Sequence, residues 1–275
     1  FACRSLSHLA QLYGAKGKIG RNHGLYMDVI SLPALTDNYI HVVRWEGQTC
    51  VVDPGDADVV LKYIKEEGFE LHYILVTHHH HDHVDGIEKL KKTTEATVIG
   101  PEDERIPCLD RTVYEGEELV FGPCIFQVFE VPGHTTSDVA YYLEEKGCLF
   151  SGDFLFTGSC GRIFEGTARQ MFSSMQKVVD LPDDTLIYCG HEYTAQNMRF
   201  AISIEPDNVE VKARLDDVEK RNAEGRGTVP AILALEKKTN PFFRCDDEHL
   251  KEAVGMPGAD AVDVFAKIRR LKDVF

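Results

Sequence analysis

No stretch of this sequence approaches the roughly 18 consecutive apolar residues that a bilayer-spanning helix needs, which excludes a helical membrane span. Basic residues are in deficit: 30 Lys and Arg stand against 45 Asp and Glu, a formal net charge of −15. A chain so acidic has no electrostatic hold on a polyanion, which argues against a nucleic-acid partner. The eight cysteines form no C-x-x-C pair and keep no regular spacing, so they read as reduced intracellular thiols rather than a disulfide framework. No internal repeat or low-complexity segment stands out. Acidic residues are missing altogether from residues 1–24, which hold Arg4, Lys16, Lys18 and Arg21. That stretch is expected to be an N-terminal extension, either the remnant of an organelle-targeting signal or a disordered tail. The compartment is accordingly expected to be the cytoplasm or an organelle matrix such as the mitochondrial one. With 275 residues the chain suits one large or two modest domains and can bury a sizeable core.

What is there is concentrated in seven residues, Thr77-His78-His79-His80-His81-Asp82-His83. Four of them fit an H-x-H-x-D-H frame: His78, His80, Asp82 and His83. The preceding run, His72-Tyr73-Ile74-Leu75-Val76, reads as a buried strand, and Val84-Asp85-Gly86 leads into a helical stretch. On extended backbone His78 and His80 point the same way and can grip one metal ion. Asp82 and His83 fall at the following turn and can face a second ion. Imidazole nitrogen suits zinc or iron, and the carboxylate broadens the choice. The interleaved aspartate and the internal position argue against a polyhistidine tag.

Further ligand types follow at strand ends. Val131-Pro132-Gly133-His134 comes after the apolar run 125–129, Gly152-Asp153 after Leu149-Phe150-Ser151, and Gly190-His191 after Leu186-Ile187-Tyr188-Cys189. In each case an apolar strand is followed by glycine and then one ligand-type residue, the glycine allowing a tight bend. One such segment would be an ordinary loop; three downstream of the heptapeptide form an ordered set. Cys160 and Cys189 lie within the motif-bearing segments, but a nucleophilic cysteine is not needed where metal ions can activate water.

The ordered set resembles the metallo-β-lactamase superfamily. Within it the chain is similar to the glyoxalase II (hydroxyacylglutathione hydrolase) family. The narrower likeness rests on Thr36-Asp37-Asn38-Tyr39, the run Ser159 to Thr167, Cys189-Gly190-His191-Glu192-Tyr193-Thr194, Asn240-Pro241-Phe242-Phe243-Arg244 and Arg269-Arg270-Leu271-Lys272-Asp273. These span about residues 28–275. The resemblance implies an α/β fold: an αββα sandwich of two sheets with helices outside, followed by a small C-terminal α-helical domain. It implies two divalent metal ions, zinc first, with iron or manganese as alternatives. His78, His80 and His134 would hold one, Asp82, His83 and His191 the other, and Asp153 both. Asp82 would also orient the nucleophile as a catalytic residue. The implied reaction is hydrolysis of S-D-lactoylglutathione and related 2-hydroxyacylglutathiones to the hydroxy acid and glutathione, the second step of methylglyoxal detoxification, by a monomer. The alternatives are a one-iron persulfide dioxygenase of the same superfamily, expected to lack the helical tail, and a metal-binding relative without catalysis.

Substrate contacts are likewise implied by resemblance. Arg269 and Lys272, three apart on a helix and so on one face, would bind the glutathione carboxylates; a solvated helix face is the alternative. The family often has Lys and Tyr where this chain has Arg162 and Phe164; Arg162 keeps the charge, whereas Phe164 loses a hydroxyl. Tyr193 keeps its family position, and Arg244 serves equally well as a structural salt bridge. One further departure falls after His134, where Ser137 and Asp138 replace the family's second Gly and His. Asp138 could orient a ligand imidazole, but an ordinary strand-start residue is the favoured reading.

From residue 28 strands and helices alternate. Strands are expected over 27–32, 39–45, 49–53 and 186–189, and helices over 57–67, 168–181, 194–204, 208–224 and 261–274. The domains expected are the extension 1–24, a catalytic domain 25–195 and a helical substrate-binding domain 196–275.

Overall fold

A computed structural model describes residues 27–275, so the extension expected over 1–24 lies outside the described residues. The first six-stranded sheet runs in chain order through Met27–Ala34 (β1), Asn38–Trp45 (β2), Gln48–Val52 (β3), Tyr73–Leu75 (β4), Thr97–Gly100 (β5) and Arg111–Thr112 (β6). Its first three strands are antiparallel hairpins, and the later pairings are parallel. The second sheet uses Glu118–Phe121 (β7), Cys124–Glu130 (β8), Val139–Leu143 (β9) and Cys148–Gly152 (β10). Leu155–Phe156 (β11) and Ser159–Cys160 (β12) form a separate ribbon. Leu186–Cys189 (β13) and Ala231–Ile232 (β14) complete the second sheet in the order β14-β13-β10-β9-β8-β7, with β10 and β13 parallel.

Strand side chains alternate between two cores, because successive residues point to opposite faces. On β2, Tyr39, Val43 and Trp45 pack between the sheets with Phe126, Val128, Tyr141 and Phe150. Ile40 and Val42 point outward, onto Ala57–Glu67 (α1) and Ile87–Thr94 (α3), while His81–Val84 (α2) is a single turn between them. Both faces of β2 are covered, which is why it reads as a continuous apolar run. Helix α1 has sharp ends. The Asp56 side chain accepts from the backbone N–H of Asp58 at 2.8 Å, and Gly68 closes the helix in the left-handed region at φ 71°. It buries Ala57, Val60, Tyr63 and Ile64, one face at helical spacing.

Helix Ala168–Val179 (α4), opened by a Thr167–Gln170 capping box, covers the outer face of the second sheet. Thr194–Ile204 (α5), Val209–Ala223 (α6), Leu233–Thr239 (α7), Glu248–Ala253 (α8) and Ala261–Asp273 (α9) follow. These later helices share a core with that sheet: Phe242, Leu250, Phe265 and Ile268 pack with Leu149, Met171 and Met175. The result is the αββα sandwich with a C-terminal helical part. No helix among the described residues is long and apolar enough to cross a membrane.

The carboxyl ends of β3, β4, β8, β10 and β13 meet at one edge. Backbone hydrogen bonds tie them together there: Val139 N–H donates to Thr77 O at 2.9 Å, Tyr39 N–H to Gly190 O at 2.8 Å and Gly190 N–H to Gly152 O at 3.0 Å. A buried ion pair, Arg214 with Glu236, locks the later helices to the same edge, because Gly158 N–H donates to Glu236 Oε2 at 2.7 Å and Asn240 Nδ2 donates to that oxygen at 3.0 Å. Truncating Glu236 to Ala strands the buried Arg214 cation and the Gly158 amide. The expected loss of unfolding free energy is about 3–5 kcal/mol. Urea denaturation checks it, and a loss below about 1 kcal/mol would mean that water satisfies both groups.

Candidate metal centre

Each ligand-type residue of the sequence pattern comes to this edge. His78 and His80 follow β4, Asp82 and His83 lie on α2, His134 follows β8, Asp153 follows β10 and His191 follows β13. Three groups of donor atoms among the described residues are each compact enough for one cation: His78, His80 and His134; Asp82, His83 and His191; and, behind them, Asp53 with His78 and His83. In the first, His80 Nδ1 lies 3.1 Å from His78 Nε2 and 2.9 Å from His134 Nε2. In the second, Asp82 Oδ2 is 3.2 Å from His191 Nε2 and 3.5 Å from His83 Nε2. Asp153 stands between them. Its Oδ2 is 3.3 Å from His191 Nε2 and 3.6 Å from His134 Nε2, and its Oδ1 is 3.5 Å from His83 Nε2.

The outer nitrogens fix which lone pairs point inward. Thr77 Oγ1 donates its single proton to Asp53 Oδ2 at 2.7 Å, so at 2.9 Å it accepts from His78 Nδ1–H. His83 Nδ1–H donates to Asp53 Oδ2 at 3.1 Å, His134 Nδ1–H to Arg162 O at 2.8 Å and His191 Nδ1–H to Asp37 Oδ1 at 2.8 Å. Four imidazoles therefore turn Nε2 lone pairs into one small volume. His83 Nε2 and Asp153 Oδ1 are buried there without a hydrogen-bond partner. Convergent lone pairs beside an unpartnered buried carboxylate oxygen fit divalent cations.

The electrostatics agree. Burial and then neighbouring imidazoles push His78 well below its ordinary pKa; burial and His134 bring His80 down to about 4. In the other half, burial opposes ionisation but is outweighed. Asp153 with Asp53 raises His83 well above its ordinary value, and Asp153 with Asp82 lifts His191 to about 10. The same pairing holds Asp153 well below the carboxylate range. Burial would raise Asp82, yet His191, His83 and Asn38 together hold it below that range. A metal ion in this half would compete with protons for the same nitrogens.

Glycine is required where these groups crowd the backbone. A Cβ on Gly190 would fall onto Asp153 Oδ1 and within 2.7 Å of His83 Cε1. Gly152, at φ +49°, has Thr77 Oγ1 in the place of a Cβ. Close approach at Gly190, rather than the expected bend, is thus the constraint there.

The residues expected around the mouth are arranged unequally. Phe164 is exposed, with its ring 5.6 Å from that of His80 and 5.3 Å from that of His134. Tyr193 stacks on His191 at 4.7 Å. Arg162 is exposed, 3.5 Å from Asp273 Oδ1, and Lys272 is half-buried with Nζ 5.5 Å over the Phe200 ring. Arg269 does not share an open face with Lys272. It is buried, and it donates to Cys160 O at 2.9 Å and Gly161 O at 3.2 Å. Arg244 forms a salt bridge with the buried Glu205 at 2.7 Å. Asp138 accepts from Thr135 N–H and Oγ1, both at 2.6 Å, and closes the turn before β9 instead of touching His134 through a hydrogen bond. Burial drives the thiols of Cys160 and Cys189 up to about 11 and about 12, too high for a nucleophile.

Sequence reasoning assigned no role to Asp53, Thr77, Asp37 or Asn38. Asp53 supports two imidazoles, His83 directly and His78 through Thr77; Asn38 Nδ2 donates to Asp82 Oδ2 at 2.8 Å. A signal existed: Val51-Val52-Asp53 repeats the apolar-strand-then-aspartate pattern of Phe150 to Asp153.

Two family descriptions match the chain, "Metallo-beta-lactamase superfamily" over residues 36–191 and "Hydroxyacylglutathione hydrolase C-terminus" over residues 192–275. The hydroxyacylglutathione hydrolase of Rhodospirillum rubrum is 45% identical over 253 residues, 90% of this chain and 99% of that protein. That of Aliivibrio fischeri is 46% identical over 253 residues, 90% of this chain and all of that protein. Among solved structures, ETHE1 from Myxococcus xanthus aligns with a TM-score of 0.61 at 26% identity, covering 89% of this chain and 99% of that one. TTHA1623 in a di-iron-bound form aligns at 0.57 and 26%, covering 78% and 98%.

Removing the support of two imidazoles at once should weaken the centre. Asp53→Ala is expected to lower metal affinity by about 10–100-fold. Chelator competition on the metal-free protein measures it, and an unchanged affinity would show that the ring orientations do not depend on Asp53.

Proposed function

Because the chain belongs to the hydroxyacylglutathione hydrolase family of the metallo-β-lactamase superfamily, we propose that it hydrolyses S-D-lactoylglutathione and related 2-hydroxyacylglutathione thioesters. The observation that carries the reading is the convergence of four oriented Nε2 nitrogens on a buried carboxylate. The ligand set is His78, His80 and His134 for one divalent ion, Asp82, His83 and His191 for a second, with Asp153 shared. Zinc is the first choice for five imidazoles and two carboxylates, with iron or manganese as alternatives. The chemistry that divalent ions supply in such a centre is Lewis-acid polarisation of a carbonyl and a lowered water pKa.

The chain's own residues do the rest. Asp82, kept ionised by His191 and His83 and oriented by Asn38, accepts a hydrogen bond from water and holds it for attack on the thioester carbon. Phe164 and Tyr193 wall the acyl end. The C–S bond breaks to release a thiolate, which needs little help from an acid. Arg162 and Lys272 are the cations left to meet the glutathione carboxylates, since Arg269 spends its guanidinium on chain carbonyls. Residues 25–195 then form the catalytic part and 196–275 the substrate-binding part. Every group named comes from one chain, so a monomer suffices. The helical tail disfavours the dioxygenase alternative.

The test is hydrolysis of S-D-lactoylglutathione with metal analysis of the same sample. Thioester cleavage with two metal equivalents is expected, and Asp153→Ala should lose metal and turnover together. Wild-type-like activity in that variant would overturn the shared-carboxylate assignment; one equivalent with oxygen uptake would favour the dioxygenase.

Lys272 adds a pH dependence. Burial, then Arg269, brings its ammonium down to about 8. A lowered pKa means that the charge is present below that value and lost above it. KM for the glutathione thioester should therefore rise between about pH 7 and 9, and Lys272→Arg should flatten the rise. A flat wild-type KM over that range would remove Lys272 from the binding site.

A further inference from the structure

Arg269 is a buried cation on the last helix whose hydrogen bonds lead to the metal centre. Its Nη1 donates to the carbonyls of Cys160 and Gly161, and its Nη2 lies 3.1 Å from Asp273 Oδ1. The guanidinium carbon is 5.5 Å from the centre of the Phe242 ring. The next carbonyl along the chain, that of Arg162, is the one that accepts from His134 Nδ1–H. The segment has no slack on its other side. Gly161 N–H donates to Phe154 O at 3.1 Å, and a Cβ on Gly161 would fall onto the Asp153 carbonyl and 3.3 Å from His134 Nδ1.

We propose that Arg269 is a positioning residue: through the backbone from Cys160 to Arg162 it sets the ring orientation of His134, so that the last helix governs the His78, His80 and His134 half of the centre. This rests on the ligand assignment made under the proposed function. Two neutral carbonyls are held in register by one planar cation, and a third, one residue on, presents its oxygen to the imidazole. A lysine there keeps the charge but has no planar fork to hold both carbonyls with one nitrogen while the other meets Asp273. A purely carboxylate-binding arginine would leave the two carbonyls free, and a purely structural one would affect both halves of the centre alike.

Arg269→Lys and Arg269→Met in the full chain test this. The first readout is stepwise zinc affinity of the metal-free protein by chelator competition. One of the two equivalents is expected to weaken by about 10–100-fold, as when a supporting hydrogen bond to a ligand imidazole is lost, and the other should keep its affinity. The second readout is kcat/KM on S-D-lactoylglutathione and on the lactoyl thioester of N-acetylcysteamine, which lacks the glutathione carboxylates. The same fold-loss on both substrates is expected. A loss confined to the glutathione thioester, with both zinc affinities intact, would overturn the proposal in favour of direct carboxylate binding. Equal weakening of both equivalents would overturn it in favour of general loosening. If the Met variant fails to fold, the Lys variant decides alone, since it retains the buried charge. Wild-type protein that binds fewer than two equivalents overturns the ligand assignment itself, and the proposal with it, before any variant is compared.

Discussion

A carboxylate buried where two sheets meet has to be balanced by positive charge, and here that demand falls on Asp153. Burial alone would keep it protonated; His83 and His191 hold it ionised instead. The same three groups cannot all be satisfied by one another, because His83 Nε2 and Asp153 Oδ1 remain without hydrogen-bond partners. Everything around them serves that unmet demand. Asp37, Asp53, Thr77 and the Arg162 carbonyl hold the outer nitrogens, so the inner ones have no freedom to turn away. Gly152 and Gly190 leave the space that Thr77, His83 and Asp153 fill. An isolated charge in such a place would cost several kcal/mol, whereas a cation shared among fixed donors offsets it.

Much of this was legible because ligand-type residues follow strands. The heptapeptide and the three glycine-led segments lie at the ends of parallel or alternate strands, so a single edge collects them. Helix α1 matched its expected bounds, Ala57–Glu67, since Asp56 and Gly68 mark both ends locally. Asp53 was not legible in the same way. It closes the strand expected over 49–53, and its role appears only when parallel pairing of β3 with β4 brings Thr77 beside it. The heptapeptide also shows where pattern is sufficient. His79 and His81 fall outside the frame, and neither joins the metal-facing groups: His79 lies 3.2 Å from Asp103 and His81 is exposed beside Asp85.

The last helix shows where pattern is insufficient. Arg269 and Lys272 are three apart, and helical spacing puts them near one another. The buried stripe of α9, however, runs through Val264, Phe265 and Ile268 and takes Arg269 with it, leaving Lys272 at its margin. Spacing gives the angle between two side chains but not which of them the neighbouring sheet covers. Once covered, a guanidinium must find acceptors, and the carbonyls of Cys160 and Gly161 are within reach.

That burial gives the helical part a second task besides closing the core of the second sheet. The segment from Asp153 to Glu165 starts at the buried Asp153 carboxylate and carries the exposed Arg162 and Phe164. It is tied down by Glu236 at Gly158, by Arg269 at Cys160 and Gly161, and by Arg105 and Thr136 at Glu165. Two of those ties come from helices beyond residue 192. An exposed loop usually loses entropy when it grips a ligand, but one already held at three points has little left to lose. The helices therefore shape the mouth of the centre from behind, and the two family-matched halves act as one body: the first supplies the donors, and the second keeps the segment between them in place.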